Sequence, residues 1–475
     1  MDTHQGGGCV VSAPPSTPPP AGIPVVWTTP RTLVGFRTAI WALVLMLFLT
    51  GESTLSTSRA TFKTIGKDAA PSIIAADEIG YALADLDANV ANSLLGAAQH
   101  RQAAVAVIEK QRVKVTDGLI DAAENITYGD AEKVPIRLLT RGFGVYLERA
   151  AEARLRFEQG DVDGARTSYW EATELLHATL LPQAAQLDRA NREALDRSFA
   201  QERRVNDGAE GGALALGLLV LLSLLSLQVF LFRKTHRILN PALLAGTFVA
   251  FLFTAYLVTR FSAAREDLRL AKEDAFDSIH ALVRARAIAY DANGDESRFL
   301  LESQHTHGFE AAFRSKVLLL TSSPALASDA SRELSAFVKL SGGHHRKPKY
   351  TGLLWDEVGN ITFDGEYAGA ARAMKAFADY YGIDGRIRSL AASGKLTDAI
   401  ELCIGGRPDE SNAAFDRFDS GLGSALDINR AAFDAAIDRG RSDLGAAEYW
   451  GPAFALVIAF LTWLGLQPRL REYRA

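Results

Sequence analysis

Hydrophobic residues follow two patterns along this chain. In four stretches they run almost unbroken: Thr38 to Leu49, Gly211 to Phe232, Pro241 to Val258 and Tyr449 to Leu466. A helix needs about 20 residues, at ~1.5 Å each, to cross a hydrocarbon core of ~30 Å. The last three runs meet that length directly. The first meets it when Arg37 snorkels at one end and Gly51 to Leu55 extend the other. Elsewhere apolar residues recur every three or four positions, the period of an amphipathic helix. Ile79, Leu83, Leu86, Val90 and Leu94 make one stripe; Val105, Ile108, Val115 and Leu119 a second; Ile136, Leu139, Phe143, Tyr146, Leu147 and Leu155 a third. "QGDVDGA" then offers a helix stop at Gly160 and an Asp start signal. A long fourth helix follows through Trp170, Leu176, Leu180 and Leu187, with a kink predicted at Pro182. No alternating strand-like run interrupts, and residues 260–448 look similar but more embellished. The pattern predicts an all-α integral membrane protein: four transmembrane helices and two extracytoplasmic helical bundles.

Charge orients the spans. Arg233, Lys234 and Arg237 fill the short link between the second and third runs; Arg469, Arg471 and Arg474 follow the fourth; Arg31 and Arg37 come before the first. Segments flanking spans on the cytoplasmic side carry the Lys/Arg excess, so both termini and this hairpin are expected in the cytoplasm of a multi-pass plasma-membrane protein. The expected organisation is a Pro/Gly-rich tail at 1–32, spans at 36–55, 211–232, 241–259 and 449–467, extracytoplasmic bundles at 56–210 and 260–448, a basic hairpin at 233–240 and a basic tail at 468–475. The long amino-terminal region and the lack of an A-x-A site favour an uncleaved first span.

Short words recur in order. "DAN" stands at Asp87–Asn89 and again at Asp291–Asn293, 204 residues later; Asn125-Ile126-Thr127 returns as Asn360-Ile361-Thr362, 235 later; Tyr146 and Tyr380 each precede a Gly by 14 residues. The spans keep similar offsets, so the spacing predicts a tandem repeat of span, helical domain and span. An insertion of about thirty residues, containing "SGGHHRKPKYTG", lies between Asn293 and Asn360. Asn-x-Thr is a glycosylation acceptor in some secretory systems. Between helical stripes it reads more simply as an interhelical turn whose Asn caps the next helix.

Composition narrows the chemistry. The net charge of −5 gives no sign of a nucleic-acid partner, and two cysteines, Cys9 and Cys403, exclude a disulfide framework. The abundance of Ala, Arg, Leu and Asp suggests a bacterial source. No phosphate loop, dinucleotide fingerprint, serine elbow or zinc-protease motif occurs, so neither enzyme activity nor a cofactor is expected. His305, His307, His344 and His345 lack convergent ligands for a metal, and Cys403 reads as a buried thiol. The spans hold no ionisable group beyond Arg37 at an end, which disfavours ion-coupled transport; Gln228, Ser223 and Thr254 can join helices instead. Candidate contact residues are Asp87, Asn89, Asp291, Asn293, Asp295 and Arg298. Asp87 lies about 60° from the centre of its stripe, at the flank of a core. Asp291, Asp295 and Arg298 share one helical face and suit a zwitterionic ligand or a partner's surface, or simple pairing between helices. Arg233, Lys234 and Arg237 are candidates for a cytoplasmic partner.

The words "DLDANVANSLL", "YLERAAEARLRFEQGDVDGARTSYWEATELLHATLLPQAAQL" and "RKTHRILNPALLAGT" resemble the GlnX family of four-span actinobacterial membrane proteins, over most of residues 35–470. The resemblance implies relay of amino-acid availability from an extracytoplasmic solute-binding protein to a cytoplasmic Ser/Thr protein kinase. "DANGDESRFLL" departs from the family pattern, and no family binding residue carries over. The expected function is a sensory or adaptor protein in the lipid bilayer; the alternative is a membrane scaffold or an accessory subunit of a transporter.

Overall fold

The computed structural model describes residues 29–472 except 97, 236–239, 303–307 and 324–349. Every regular element among them is helical. In chain order these are α1 (Thr29–Lys63), α2 (Ala70–Leu95), α3 (Ala98–Glu124), α4 (Asp130–Glu158), α5 (Val162–Leu175), α6 (Leu181–Thr235), α7 (Pro241–Arg269), α8 (Asp277–Leu301), α9 (Phe309–Leu320), α10 (Leu353–Gly359), α11 (Glu366–Ala392), α12 (Leu396–Ile404) and α13 (Ser411–Glu472). α1 therefore begins inside the segment read as a tail.

Four helices are long and apolar enough to cross a membrane, and they lie where hydropathy placed them. The chain is a multi-pass membrane protein. The spanning parts of α1, α6, α7 and α13 form a ring in which each packs on two neighbours. Small residues let them close up: a Cβ on Gly217 would stand 2.3 Å from the Thr254 side chain. Gln228 Nε2 donates to Thr247 Oγ1 at 2.9 Å, joining α6 to α7. Thr254 instead bonds the Ala250 carbonyl of its own helix. Large apolar side chains such as Leu49, Leu218, Phe248, Phe251 and Leu456 point outward, as a lipid-facing surface requires.

The spans do not end where the polar segments begin. α1 passes through a π-helical turn, Thr64–Ala69, straight into α2, and α7 passes through another, Leu270–Phe276, into α8. A third π-turn, Leu176–Leu180, joins α5 to α6 just before Pro182. Pro182 lacks an N–H, and the widened turn ahead of it accommodates the lost bond.

The two Asn-Ile-Thr words serve these π-turns. Asn125 Nδ2 donates to Asp68 O (3.3 Å), on the π-turn after the first span, and to Ser72 Oγ (2.7 Å), in the first turn of α2. Asn360 Nδ2 donates to Asp274 O (2.9 Å), on the π-turn after the third, and to Ser278 Oγ (2.8 Å), in the first turn of α8. Neither asparagine caps the helix that follows it, which corrects the sequence expectation; the N-cap positions are Gly129 and Gly365. Glu132 instead reaches back to accept from the Thr127 and Tyr128 N–H groups of the loop, and Glu366 does the same with those of Thr362 and Phe363. A side chain already donating inward is also a poor sugar acceptor.

The bonded pairs Asp68/Asp274 and Ser72/Ser278 are 206 residues apart, whereas the "DAN" words are 204 apart. The 206-residue offset takes Asp87 to Asn293, not to Asp291. Tyr146 bonds Asp87, and Tyr380, 234 residues on, lies beside Asn293.

Candidate functional site

α2 and α8 pack on each other more extensively than any other pair of helices. Each is enclosed on nearly all sides. Every residue from Ile79 to Ala88 is buried, and every residue from Asp291 to Glu302. A helix buried all round normally carries apolar residues throughout; α8 instead buries Asp291, Asp295, Glu296 and Arg298. Such charges persist inside only when paired and hydrogen-bonded.

Arg298 is fully buried and its guanidinium binds both helices. Nη2 lies 2.7 Å from Asp87 Oδ2 on α2 and 3.2 Å from Asp291 Oδ1 on its own helix. Nη1 meets Asp295 Oδ1 at 2.5 Å. Nε donates to Asp87 Oδ2 and to the Tyr169 hydroxyl, both at 3.2 Å. Asp87 also accepts from Tyr146 (2.8 Å), Tyr169 (2.9 Å) and Thr173 (3.1 Å). Lys316 of α9 bridges Asp291 Oδ2 and Asp295 Oδ2 at 2.7 and 2.6 Å, and His177 Nε2 lies 2.8 Å from Asp291 Oδ1. The cluster thus ties α2, α4, α5, α8, α9 and the π-turn before α6. Burial pushes the Asp291 carboxyl up, but His177, Arg298 and Lys316 together pull it well below the usual carboxylate range. Burial first, and then the Asp87 charge, push the hydroxyls of Tyr146 and Tyr169 well up, so both stay donors.

The structure therefore brings Asp87, Asp291, Asp295 and Arg298 together, and corrects the expectation that Asp87 flanks a core. It is fully buried and faces its partners rather than a ligand. Asn89 and Asn293 point the other way, into a cavity of about 570 Å³ between α2, α3, α8 and α13. Sequence reasoning missed Tyr146, Tyr169, Thr173, His177 and Lys316 as partners. One signal was available: a stretch as charged as "DANGDESR", interleaved with small residues and flanked by Tyr290 and Phe299, packs closely only if its charges neutralise one another. Arg233 and Lys234 are exposed at the end of α6, and Arg237, His305, His307, His344 and His345 lie outside the described residues.

Nearer the spans, Asp77 (α2), Asp188 (α6) and His280 (α8) bring ligand-type atoms within 4.8 Å of one another. Arg192 Nη1 approaches His280 Nδ1 at 2.7 Å, and Nε2 faces Asp188 Oδ1 at 3.1 Å. A guanidinium only donates, so Nδ1 is the acceptor and Nε2 carries the proton. The ring then has no free lone pair for a metal, and the trio acts as a hydrogen-bonded strut. Burial, then the Asp188 charge, push the Asp77 carboxyl up. Cys403 is buried, and burial followed by Glu296 pushes its thiol up, which keeps it unreactive.

Residues 61–200 match the model of a family described as Actinobacterial sensor domain. The match takes in α2 to α5 and the start of α6, and includes Asp87, Tyr146, Tyr169 and His177. No curated protein and no solved structure matches the chain. The fold and this match together define a helical, multi-pass membrane protein with a sensor-type segment, and they support a sensory role.

Proposed function

We propose that the protein relays an extracytoplasmic signal, amino-acid availability presented by a solute-binding protein, to a cytoplasmic partner such as a Ser/Thr kinase. One observation carries this reading: α2 and α8 continue out of the first and third spans and are locked together by Arg298. A contact that shifts one packing of α2 on α8 toward another moves both spans with it, because packed interfaces switch rather than deform continuously. In this reading the two helical segments are extracytoplasmic, both termini and the basic hairpin are cytoplasmic, and no chemistry is catalysed. We also read the chain as a tandem repeat. The matched roles of Asn125 and Asn360, and of Glu132 and Glu366, support it.

The test compares phosphorylation of soluble cytoplasmic proteins in cells with and without the gene, after a shift from amino-acid-free to amino-acid-rich medium. A phosphorylation change that requires the gene supports the relay. An identical response in both strains returns the protein to a scaffold or transporter-accessory role.

A further inference from the structure

The cavity on the side of α2 opposite Asp87 has an acceptor-rich corner. Asp85 Oδ1 accepts from Asn89 Nδ2 at 2.7 Å, and Asp85 Oδ2 accepts from Gln111 Nε2 at 2.5 Å. No basic side chain among the described residues forms an ion pair with Asp85. The guanidinium that lines the same cavity, Arg286, is committed to Asp419 by two bonds of 2.6 and 2.8 Å. Burial pushes the Asp85 carboxyl up to about 7, with the Gln111 bond and the more distant Lys110 charge opposing and the charges of Asp419 and Asp416 adding to the rise.

Gln111 completes the corner. Its Nε2 must face the carboxylate, since the flipped amide would set oxygen against oxygen, so Oε1 is the remaining atom. Oε1 is buried and has no donor. A buried acceptor left unpaired is unfavourable, and a buried carboxylate without a cation is more so. Asp85 and Gln111 both line a space of about 570 Å³, within the range of small-molecule sites. The complement is a compact cation with several N–H donors. We propose that this cavity binds a small molecule through a primary ammonium group, held between the Asp85 carboxylate and Gln111 Oε1. Because α2 and α8 both line the cavity, occupancy would act on the interface that Arg298 locks; that consequence rests on the relay reading, while the binding does not.

The experiment is calorimetric titration of the full chain in lipid nanodiscs. n-Butylamine and alanine separate an amine from an amino acid as the source of the ammonium, and binding of either supports the proposal. Choline carries charge without N–H donors and 1-butanol carries neither, so both should bind at least tenfold more weakly. Asp85→Asn should weaken ammonium binding at least tenfold, and Gln111→Met should do so too, each with an unchanged melting temperature. If one variant unfolds, the other decides. Affinity should fall as pH drops below about 7, where the ligand competes with a proton for Asp85. The facing groups are Tyr81 on α2, His100, Lys110 and Gln111 on α3, Arg286 and Tyr290 on α8, and Asp416 and Asp419 on α13. No heat from either ammonium compound at millimolar concentration, choline binding as well as n-butylamine, or full binding by Asp85→Asn would overturn the proposal. Binding with no gene-dependent phosphorylation would sink the relay alone and leave the site standing.

Discussion

Arg298 takes its charge into a fully buried site and directs its donors at carboxylates of two helices. A buried ion network of this kind adds little net stability over an apolar core of equal volume; its use is to fix one arrangement. Here it fixes the register of α2 against α8. Removing one member is a different matter, because the partners stay buried. Arg298→Met leaves Asp87 facing only hydroxyl donors, and Asp87→Ala leaves Tyr146, Tyr169 and Thr173 without their acceptor. Each should cost about 3–5 kcal/mol, read as a lower midpoint in thermal unfolding of the purified protein. An Asp87→Ala protein as stable as wild type would mean that the network is dispensable.

The titration of buried acids has a sign. Burial and Asp384 push Glu296 up to about 8. Its surroundings on other helices are Asp384 and Arg388 on α11, Cys403 on α12 and Ser411 on α13. A carboxyl raised in the folded state is favourably protonated there, so its cost is absent below the unfolded value of ~4.3 and grows as pH rises toward the folded one. Asp291 runs the other way: its contribution is fully present above an unfolded value of ~3.9 and is lost only as pH falls toward its much lower folded value. Between about pH 5 and 8 the raised group governs the trend. Glu296→Gln should therefore match wild type near pH 5 and unfold at a higher temperature near pH 8. A constant difference across that range would refute the assignment.

At the scale of elements, the sequence was informative where one face decides. Three of the spans declare themselves by length and the first with its flanking residues, and the stripes through Leu83, Leu119 and Tyr146 became α2, α3 and α4. The helix stop at Gly160 and the Asp start also hold: Asp161 accepts from the Gly164 N–H at 3.0 Å. The burial of Asp87 was not legible, because a residue 60° off a stripe is a flank only while one partner covers the helix; α2 is covered by α3, α6 and α8 together. The π-turns were not legible either, since an extra residue in a helix leaves no composition signature. The turns depend on Asn125 and Asn360 for their freed polar groups. Asn360→Ala should cost about 1–3 kcal/mol and speed amide exchange in residues 270–276, with Asn125→Ala doing the same in residues 64–69. Unchanged exchange in both would show that the asparagines follow the turns rather than hold them.

Across the whole molecule, α1, α6, α7 and α13 run in alternating directions, so the two polar segments leave the span ring from one end and the link between α6 and α7 leaves from the other. The relay needs the first end outside the cell. Arg233 and Lys234 sit exposed at the opposite end, with Arg469 and Arg471 at the end of α13. Four basic residues at one face of the ring are hard to leave outside, because flanking Lys and Arg resist translocation while long polar segments cross regardless of charge. Asn125 and Asn360 make poor positions for a label, since both are half-buried and bonded. Glu158 and Lys395 are exposed at helix ends of the polar segments, and Lys234 is exposed beside the link. Cysteines at these three positions, with Cys9→Ser and Cys403→Ser to clear the background, should divide cleanly under a membrane-impermeant thiol reagent. Glu158→Cys and Lys395→Cys should react in intact cells, and Lys234→Cys only after the membrane is opened. Reaction of Lys234→Cys from outside, with the other two protected, would invert the molecule, place the Arg298 cluster and the Asp85 cavity in the cytoplasm, and remove the basis for an extracytoplasmic signal.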